Sequence, residues 1–329
     1  MEKVIVLGSN SFSGSHLVDL LLEKTDYEII GISRSPEKKQ IFLPYKKKKT
    51  TRFKFFQMDL NKHLRKIFEV LDKEQPNLIV NFAAQSEVGP SWENPAHWFH
   101  TNCLGIVNFT NELKKRSYIT KYIHISSPEV YGTCEGLVTE SAPFNPSTPY
   151  AASKAAGDMF IQVLVKNSNF PAILIRSTNV YGPGQQLFKI IPRSIIYIKK
   201  GIRIQLHGGG KAIKSYIHIR DVCVGILKTI KMGNIGDIYH LSPEKGYSIE
   251  NVVKLICNRM SVNFEEVAEP VGERLGQDAK YVIDSNKARK ELNWKPRIQF
   301  TDGLDQVIKW VNENWEEIQK LPVLYQHKE

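Results

Sequence analysis

A doubly wound α/β fold, with helices on both faces of a mainly parallel sheet and a smaller mixed region following it, is the architecture this 329-residue sequence predicts. Three observations carry that expectation. Short, continuous apolar runs recur through the first half, segments of helical periodicity lie between them, and a glycine-bearing turn joins the first run to the first helical segment.

The first run, Lys3-Val4-Ile5-Val6-Leu7, lacks polar alternation, as a strand covered on both faces requires. Gly8-Ser9-Asn10-Ser11-Phe12-Ser13-Gly14 follows, and then a helix with apolar spacing from His16 to Leu22. A strand, a glycine turn and a helix N-terminus make a phosphate site, because the backbone approaches closely and free N–H groups face the anion. Ser11 stands where the middle glycine of such a turn is expected; Gly8, Asn10, Ser11, Phe12 and Gly14 are the candidate cofactor contacts. The second strand, 27–32, ends in Ser33-Arg34-Ser35 with Lys38 and Lys39 close behind. A carboxylate there would suit the 2′-hydroxyl of NAD, whereas an arginine suits a 2′-phosphate, so Ser33 and Arg34 favour NADP over NAD. Further strands are expected at 53–56, 78–82 and 122–126, with helices at 61–74 and 97–116. Asp59, beside Leu60, is placed either against an adenine or as a helix cap. Phe82, Ala83, Ala84 and Gln85 leave room for a cofactor to lie across them, and Ser86 and Glu87 follow on the substrate side.

Composition bounds the function. With 42% hydrophobic and 24% charged residues the chain is an ordinary globular one. No apolar run approaches the roughly 20 residues that span a bilayer, and Met1-Glu2-Lys3 leads straight into a strand, so a soluble, cytoplasmic protein without a membrane partner is expected. Cys103, Cys134, Cys223 and Cys257 are scattered, which suggests neither disulfides nor a metal site. The net charge of +11 is diffuse apart from Lys46 to Lys49 with Arg52 and Lys54. That run is read as a solvated loop whose field attracts a diphosphate, and nucleic acid is not an expected partner.

Tyr150 and Lys154 are spaced to share one face of a helix whose start is marked by Pro146-Ser147-Thr148-Pro149. A cation beside the phenol favours the phenolate, so a tyrosine that titrates near ~10 is drawn toward neutral pH and can act as a base. A surface pair is the plainer alternative for that spacing alone.

Taken together, the glycine turn, Asn81-Phe82-Ala83-Ala84-Gln85, Ser126-Ser127-Pro128-Glu129-Val130-Tyr131-Gly132, Tyr150 to Lys154, Asn179-Val180-Tyr181-Gly182-Pro183 and Arg274 to Asp278 resemble the extended short-chain dehydrogenase/reductase family. Within it the sequence is most similar to nucleotide-sugar 4,6-dehydratases of the dTDP-glucose and GDP-mannose types. The resemblance implies a Rossmann domain over 1–180, joined by some later segments, and a nucleotide-sugar domain mainly over 181–329. It also implies that Tyr150 takes the proton of the sugar 4-hydroxyl, Lys154 supports it, Ser126 or Ser127 bonds O4, and Glu129 removes the C5 proton. An NDP-hexose would thus lose its 6-hydroxyl and receive the hydride back at C6. Pro128 departs from the family, which has Asp or Ser there; proline donates nothing, which keeps a 4-epimerase or a decarboxylase open as alternatives and a non-catalytic relative as a remote one.

For the substrate, the resemblance implies Asn179 and Arg274 as contacts to the diphosphate or sugar. Lys214 replaces an arginine, with Arg220 a partial substitute. Arg193 sits on an amphipathic helix, 190–196, and faces either the nucleotide or solvent. A homodimer through the helices at 97–116 and 150–166 is the family expectation.

Overall fold

The computed structural model describes residues 2–133, 136–272 and 282–327. In chain order the strands that matter here are β1 (Lys3–Leu7), β2 (Glu28–Ser33), β3 (Phe53–Gln57), β4 (Leu78–Asn81), β5 (Lys121–Ile125), β6 (Leu137–Val138), β7 (Ala172–Ser177), β8 (Asn179–Tyr181), β9 (Ile204–His207), β10 (Ile213–His218) and β11 (Ile238–Leu241). Seven of them form one sheet in the order β11-β7-β5-β4-β1-β2-β3, with every neighbouring pair parallel. The winding leaves β1 through β2 and β3, then restarts on β1's other side with β4. That reversal opens a crevice at the carboxyl ends of β1 and β4, the place where an open α/β sheet binds ligands.

The helices beside this sheet are α1 (Phe12–Lys24), α2 (Leu64–Glu74), α3 (Pro95–Phe99), α4 (Ile106–Leu113) and α5 (Pro149–Ser168), followed by α6 (Ile190–Lys200) and α7 (Ile219–Met232). Successive residues of a strand face opposite sides, so in β1 Val4 and Val6 enter one core with Leu17, Leu21 and Ile226, while Ile5 and Leu7 enter another with Ile67, Phe109 and Ile161. That double covering is why the β1 run is apolar without alternation. Each such side chain contributes roughly 1.5–3 kcal/mol by leaving water. A third core, built on Ile191, Ile195, Val252, Leu304 and Trp310, gathers α6 and the later helices. There β10 pairs with β8 on one side and with Gly246–Ser248 on the other in a three-stranded sheet. β11 lies beyond residue 181 in sequence yet forms the edge of the large sheet, paired with β7.

The basic run has structural work as well as a field. Lys46 and Lys48 pair with Glu37 (3.2 Å) and Asp19 (2.8 Å), and Arg52 donates to the carbonyls of Leu22 and Thr25 at the end of α1. Among the described residues no helix is long and apolar enough to cross a membrane, and no group of three acidic, His or Cys side chains is placed to hold a metal.

The helical stretch expected at 97–116 is built in three pieces, because a π-helical turn, His100–Gly105, joins α3 to α4. α5 packs hard against that turn: a Cβ on Gly157 would lie 2.4 Å from the backbone oxygen of Asn102. An alanine inside a helix normally gains about 1 kcal/mol over glycine, but overpacking against a backbone atom that cannot rotate away costs about 1–3 kcal/mol. Gly157→Ala is therefore expected to lower stability by up to about 2 kcal/mol, read as a lower denaturant midpoint at unchanged slope. A higher midpoint would show that the two helices are not held so closely.

Candidate active site

The glycine turn is fixed by geometry that side chains would spoil. Gly8 has φ +78°, and a Cβ there would sit 3.0 Å from the Phe82 carbonyl carbon; a Cβ on Gly14 would lie 2.2 Å from the Gly8 oxygen. Ser11 needs no such freedom. Its φ of −75° suits any residue, and its hydroxyl accepts from the Gly14 N–H at 3.0 Å, so the missing glycine is a helix cap. Asn10 then ties the turn to the next loop. Its N–H donates to Ser33 Oγ (2.9 Å), its amide donates to the carbonyls of Ser35 and Pro36, and its Oδ1 accepts from Lys38 N.

These residues open on a cleft that also takes in Arg34, Asp59, Leu60, Phe82, Ala83, Ala84 and Gln85. Asp59 borders the cleft while its Oδ1 accepts from Asn61 N at 2.7 Å, closing the turn before α2. Gly14 and Lys154 do not line the cleft, Gly14 packing on the Gly8 carbonyl and Lys154 bonding to β5, and Phe12 borders a neighbouring hollow. Ser86 and Glu87 continue this cleft into a second one, lined also by Glu129, Tyr150, Asn179, Arg193 and Lys214. Arg193, with two environments open from the sequence, is half-buried on the cleft wall. A third hollow, lined by Ser126, Ser127, Pro128, Glu129 and Tyr150, meets the other two at Ser86. The three depressions form one bent groove at the carboxyl end of the sheet, and the predicted site residues within the described chain line it or back it. Arg274 lies outside the described residues.

α5 presents the catalytic candidates. Thr148 caps it, accepting from Ala151 N at 3.1 Å, and Pro149 fills the first turn, where no N–H is needed. Tyr150 and Lys154 are both buried. Their electrostatics correct the expectation drawn from spacing. The Tyr150 phenol is pushed up from its ordinary value, first by burial and then by the Glu129 carboxylate, against a hydrogen bond with Ser127 that lowers it. The Lys154 ammonium is drawn down to about 8 by burial, against the attraction of Asp158. Its Nζ donates to the Ile125 carbonyl at 3.0 Å and lies 3.4 Å from His124 Nε2, so it turns toward β5 rather than along the helix face to the phenol. Spacing at i and i+4 puts the two residues on one face of α5, but the ammonium is bonded to β5 and burial dominates the proton affinity of both.

Behind this pair lies a network that local spacing did not announce. Asp158, one turn beyond Lys154, accepts from Arg176 Nη2 at 2.7 Å and from Ser126 Oγ at 2.5 Å, with carboxylate and guanidinium both buried. Arg176 also donates to Tyr131 OH, which is 2.8 Å from His240 Nε2. Ser126 thus faces the groove while bonded to Asp158, whereas Ser127 bonds Tyr150. Asn102, in the π turn, grips the loop after β4: its Oδ1 accepts from Gln85 N at 2.8 Å, and its amide donates to the Gln85 carbonyl and to Ser153 Oγ. Glu87 pairs with Lys189 at 2.8 Å across 102 positions of sequence, a contact no pattern signals. Arg220, expected to compensate for Lys214, instead donates to both carboxylate oxygens of Glu23 on α1, at 2.8 Å each. Lys214 alone of those two borders the groove.

Comparison with known proteins agrees with this geometry. The sequence model of the GDP-mannose 4,6 dehydratase family matches residues 5–307. A dTDP-glucose 4,6-dehydratase of Streptomyces antibioticus is 31% identical over 248 residues, covering 74% of this chain and 73% of its own. The Haemophilus influenzae dTDP-glucose 4,6-dehydratase is 28% identical and covers 94% and 98% of the two chains. Among solved structures, the dTDP-glucose 4,6-dehydratase DesIV of Streptomyces venezuelae, determined with NAD bound, superposes with a TM-score of 0.88 at 28% identity, covering 97% of this chain and 100% of that one. A glycine turn at the switch point, a Tyr/Lys helix beside it and a match over nearly the whole length lead to one conclusion: the chain belongs to the GDP-mannose 4,6 dehydratase family.

Proposed function

We propose that this protein is a nucleotide-sugar 4,6-dehydratase that converts an NDP-hexose to its 4-keto-6-deoxy derivative. The observation that carries it is the meeting of Ser127, Glu129 and Tyr150 on one groove wall, continuous with the glycine-turn cleft. A nicotinamide dinucleotide suits that cleft: Gly8 and Gly14 let the turn close tightly at its edge, where side chains would clash with the Phe82 and Gly8 backbones, and Lys154 lies on the same helix as Tyr150. When bound in its oxidised form, it supplies a positive ring that favours the phenolate, takes up a hydride from C4 and returns it at C6.

The protein's own groups move the protons. Tyr150 removes the proton of the sugar 4-hydroxyl, with Ser127 bonded to it and Lys154 fixed by Ile125 and His124. The 4-ketone so formed acidifies the adjacent C5–H, and Glu129, close enough to raise the Tyr150 pKa, takes that proton. Pro128 beside it has no proton to give. The protonated Glu129 therefore hands the same proton to O6 as the C6–O bond breaks, and water leaves. One carboxyl group acts in both directions. Asn179, Arg193 and Lys214 on the far wall hold the nucleoside diphosphate, and Arg274 is assigned to its pyrophosphate. Exposed Phe99, Leu104, Met159 and Val163 on the α3, π-turn and α5 faces support a homodimer through those helices. The alternatives of 4-epimerisation and decarboxylation use the same Tyr and Ser but leave Glu129 without a task.

Three outcomes test this reading. Incubated with a panel of NDP-hexoses, the protein is expected to yield a product 18 mass units lighter with the near-UV absorbance of a 4-ketone in alkali, and Tyr150→Phe to reduce its rate by about 10²–10⁴-fold with sugar-nucleotide affinity kept. A product of unchanged mass, or one lacking carbon dioxide, would replace the dehydratase assignment. Pro128→Asp adds a second proton donor, so faster elimination than in the parent is expected in rapid-quench assays; a rate unchanged or lower would show that Glu129 alone suffices. As to the cofactor, Arg34 and Lys38 border the cleft and Ser33 to Pro36 contain no carboxylate, which favours a 2′-phosphate. Mass spectrometry of the nucleotide released on denaturation is expected to find NADP, and NAD would overturn that preference.

A further inference from the structure

The segment Leu324–His327 is far from every catalytic motif in sequence, yet it stands at the mouth of the groove. Tyr325 borders both the cofactor cleft and the sugar-nucleotide cleft, with Gln326 on the first and Leu324 on the second. The chain reaches this point from the third core, where Leu321 and Val323 pack beside α6 and its neighbours, and it ends its crossing on α3 beside the large sheet. It therefore bridges the two regions whose junction forms the groove.

Its attachment is specific. The His327 ring stacks on Trp98 (centroids 5.2 Å apart, planes 13° apart) and lies nearly coplanar with His97 (7°), edge to edge, its Nε2 2.9 Å from His97 Nδ1. His327 Nδ1 is 3.2 Å from Tyr325 OH. One neutral tautomer of His327 satisfies both contacts, accepting from the phenol and donating to His97. On the opposite side the Tyr325 ring meets Phe188 edge-on at 5.2 Å, and Phe188 itself borders both clefts just before the Glu87–Lys189 ion pair. Tyr325 is thus held from two sides, by α3 through His327 and by the α6 side through Phe188.

We propose that Leu324–His327 is a clasp, with Tyr325 a binding residue shared by the dinucleotide and the nucleotide sugar, which retains the cofactor while the hydride is held on it. This inference rests on the dehydratase reading for its purpose. An internal redox cycle fails if the reduced cofactor leaves before the hydride is returned, so a strap over the boundary of the two clefts serves that chemistry. The anchor is one ring stack on Trp98 and one hydrogen bond to His97, and its loss is expected to change release by about one order of magnitude.

The test uses the full chain and two substitutions outside the catalytic groups, His327→Ala at the anchor and Tyr325→Ala at the wall. Release of bound NAD(P) into excess trapping nucleotide is expected to be about tenfold faster in each variant, with thermal midpoints close to the parent's. Hydrogen exchange over 321–327 in the parent is expected to slow when the dinucleotide is added, and the KM for the nucleotide sugar to rise in Tyr325→Ala. Release at the parent rate in both variants, or exchange in 321–327 indifferent to the dinucleotide, would overturn the clasp. Should the parent bind NAD(P) yet dehydrate no NDP-hexose, the functional reading fails, and the release rates still decide the clasp. A parent that binds neither dinucleotide overturns both.

Discussion

A buried ion pair, Asp158 on α5 with Arg176 on β7, is the constraint around which the groove is arranged. Two charges taken from water lose several kcal/mol of hydration each, and only a well-made set of hydrogen bonds offsets that loss. Here Asp158 accepts from the guanidinium and Ser126, and Arg176 also reaches Tyr131. Removing one partner would leave the other charged in a dry interior, so the pair fixes where α5 lies against the sheet. Tyr150 and Lys154 sit on that helix, and Ser126, Ser127 and Glu129 follow the end of β5, next to β7. Helix and strand end are thereby registered to each other by an interaction that never touches the groove's contents.

The same burial shapes the chemistry. Dry surroundings raise the Tyr150 phenol and draw the Lys154 ammonium to about 8, and they keep His124 neutral, with the Lys154 charge acting in the same direction. Burial of this kind favours the protonated phenol, and a positive charge placed beside it would favour the phenolate. The protein thus separates two tasks that spacing alone would merge. Lys154 is fixed by β5, and the phenol is tuned by burial first, then by Glu129 and Ser127.

Departures from the family pattern fall into two kinds. Ser11 in the glycine turn is neutral in effect, because that position has ordinary backbone angles and gains a cap from the hydroxyl. Pro128 is not neutral, since it begins a short 3-10 turn, buried and without a donor, directly before Glu129, the carboxylate to which the proposed reaction gives the C5 proton. Arg220 illustrates how a matching residue type can be diverted: a glutamate on α1 lies within reach, and the charge is used between helices instead of in the groove.

Much of this was legible from residue order. The β1 run, the glycine turn, the strand ends at 33 and 81–85, and the cap at Thr148 are local, and each follows from what neighbouring residues in a chain can and cannot do. Those features establish the doubly wound sheet and the identity of the groove's principal residues. Contacts across long separations were not legible: Asn102 with Gln85, Asp158 with Arg176, Glu87 with Lys189, and His327 with His97 depend on which elements become neighbours after winding. Protonation followed the same division. Spacing placed Tyr150 beside Lys154, but only the folded interior decided how much water each retains, and in a buried site lost hydration outweighs one neighbouring charge. Residue order was enough for the sheet, the turn and the candidate chemistry, because those rest on short-range sterics and periodicity; the orientation and charge state of the candidate groups were left to tertiary packing, which alone sets distance and dielectric.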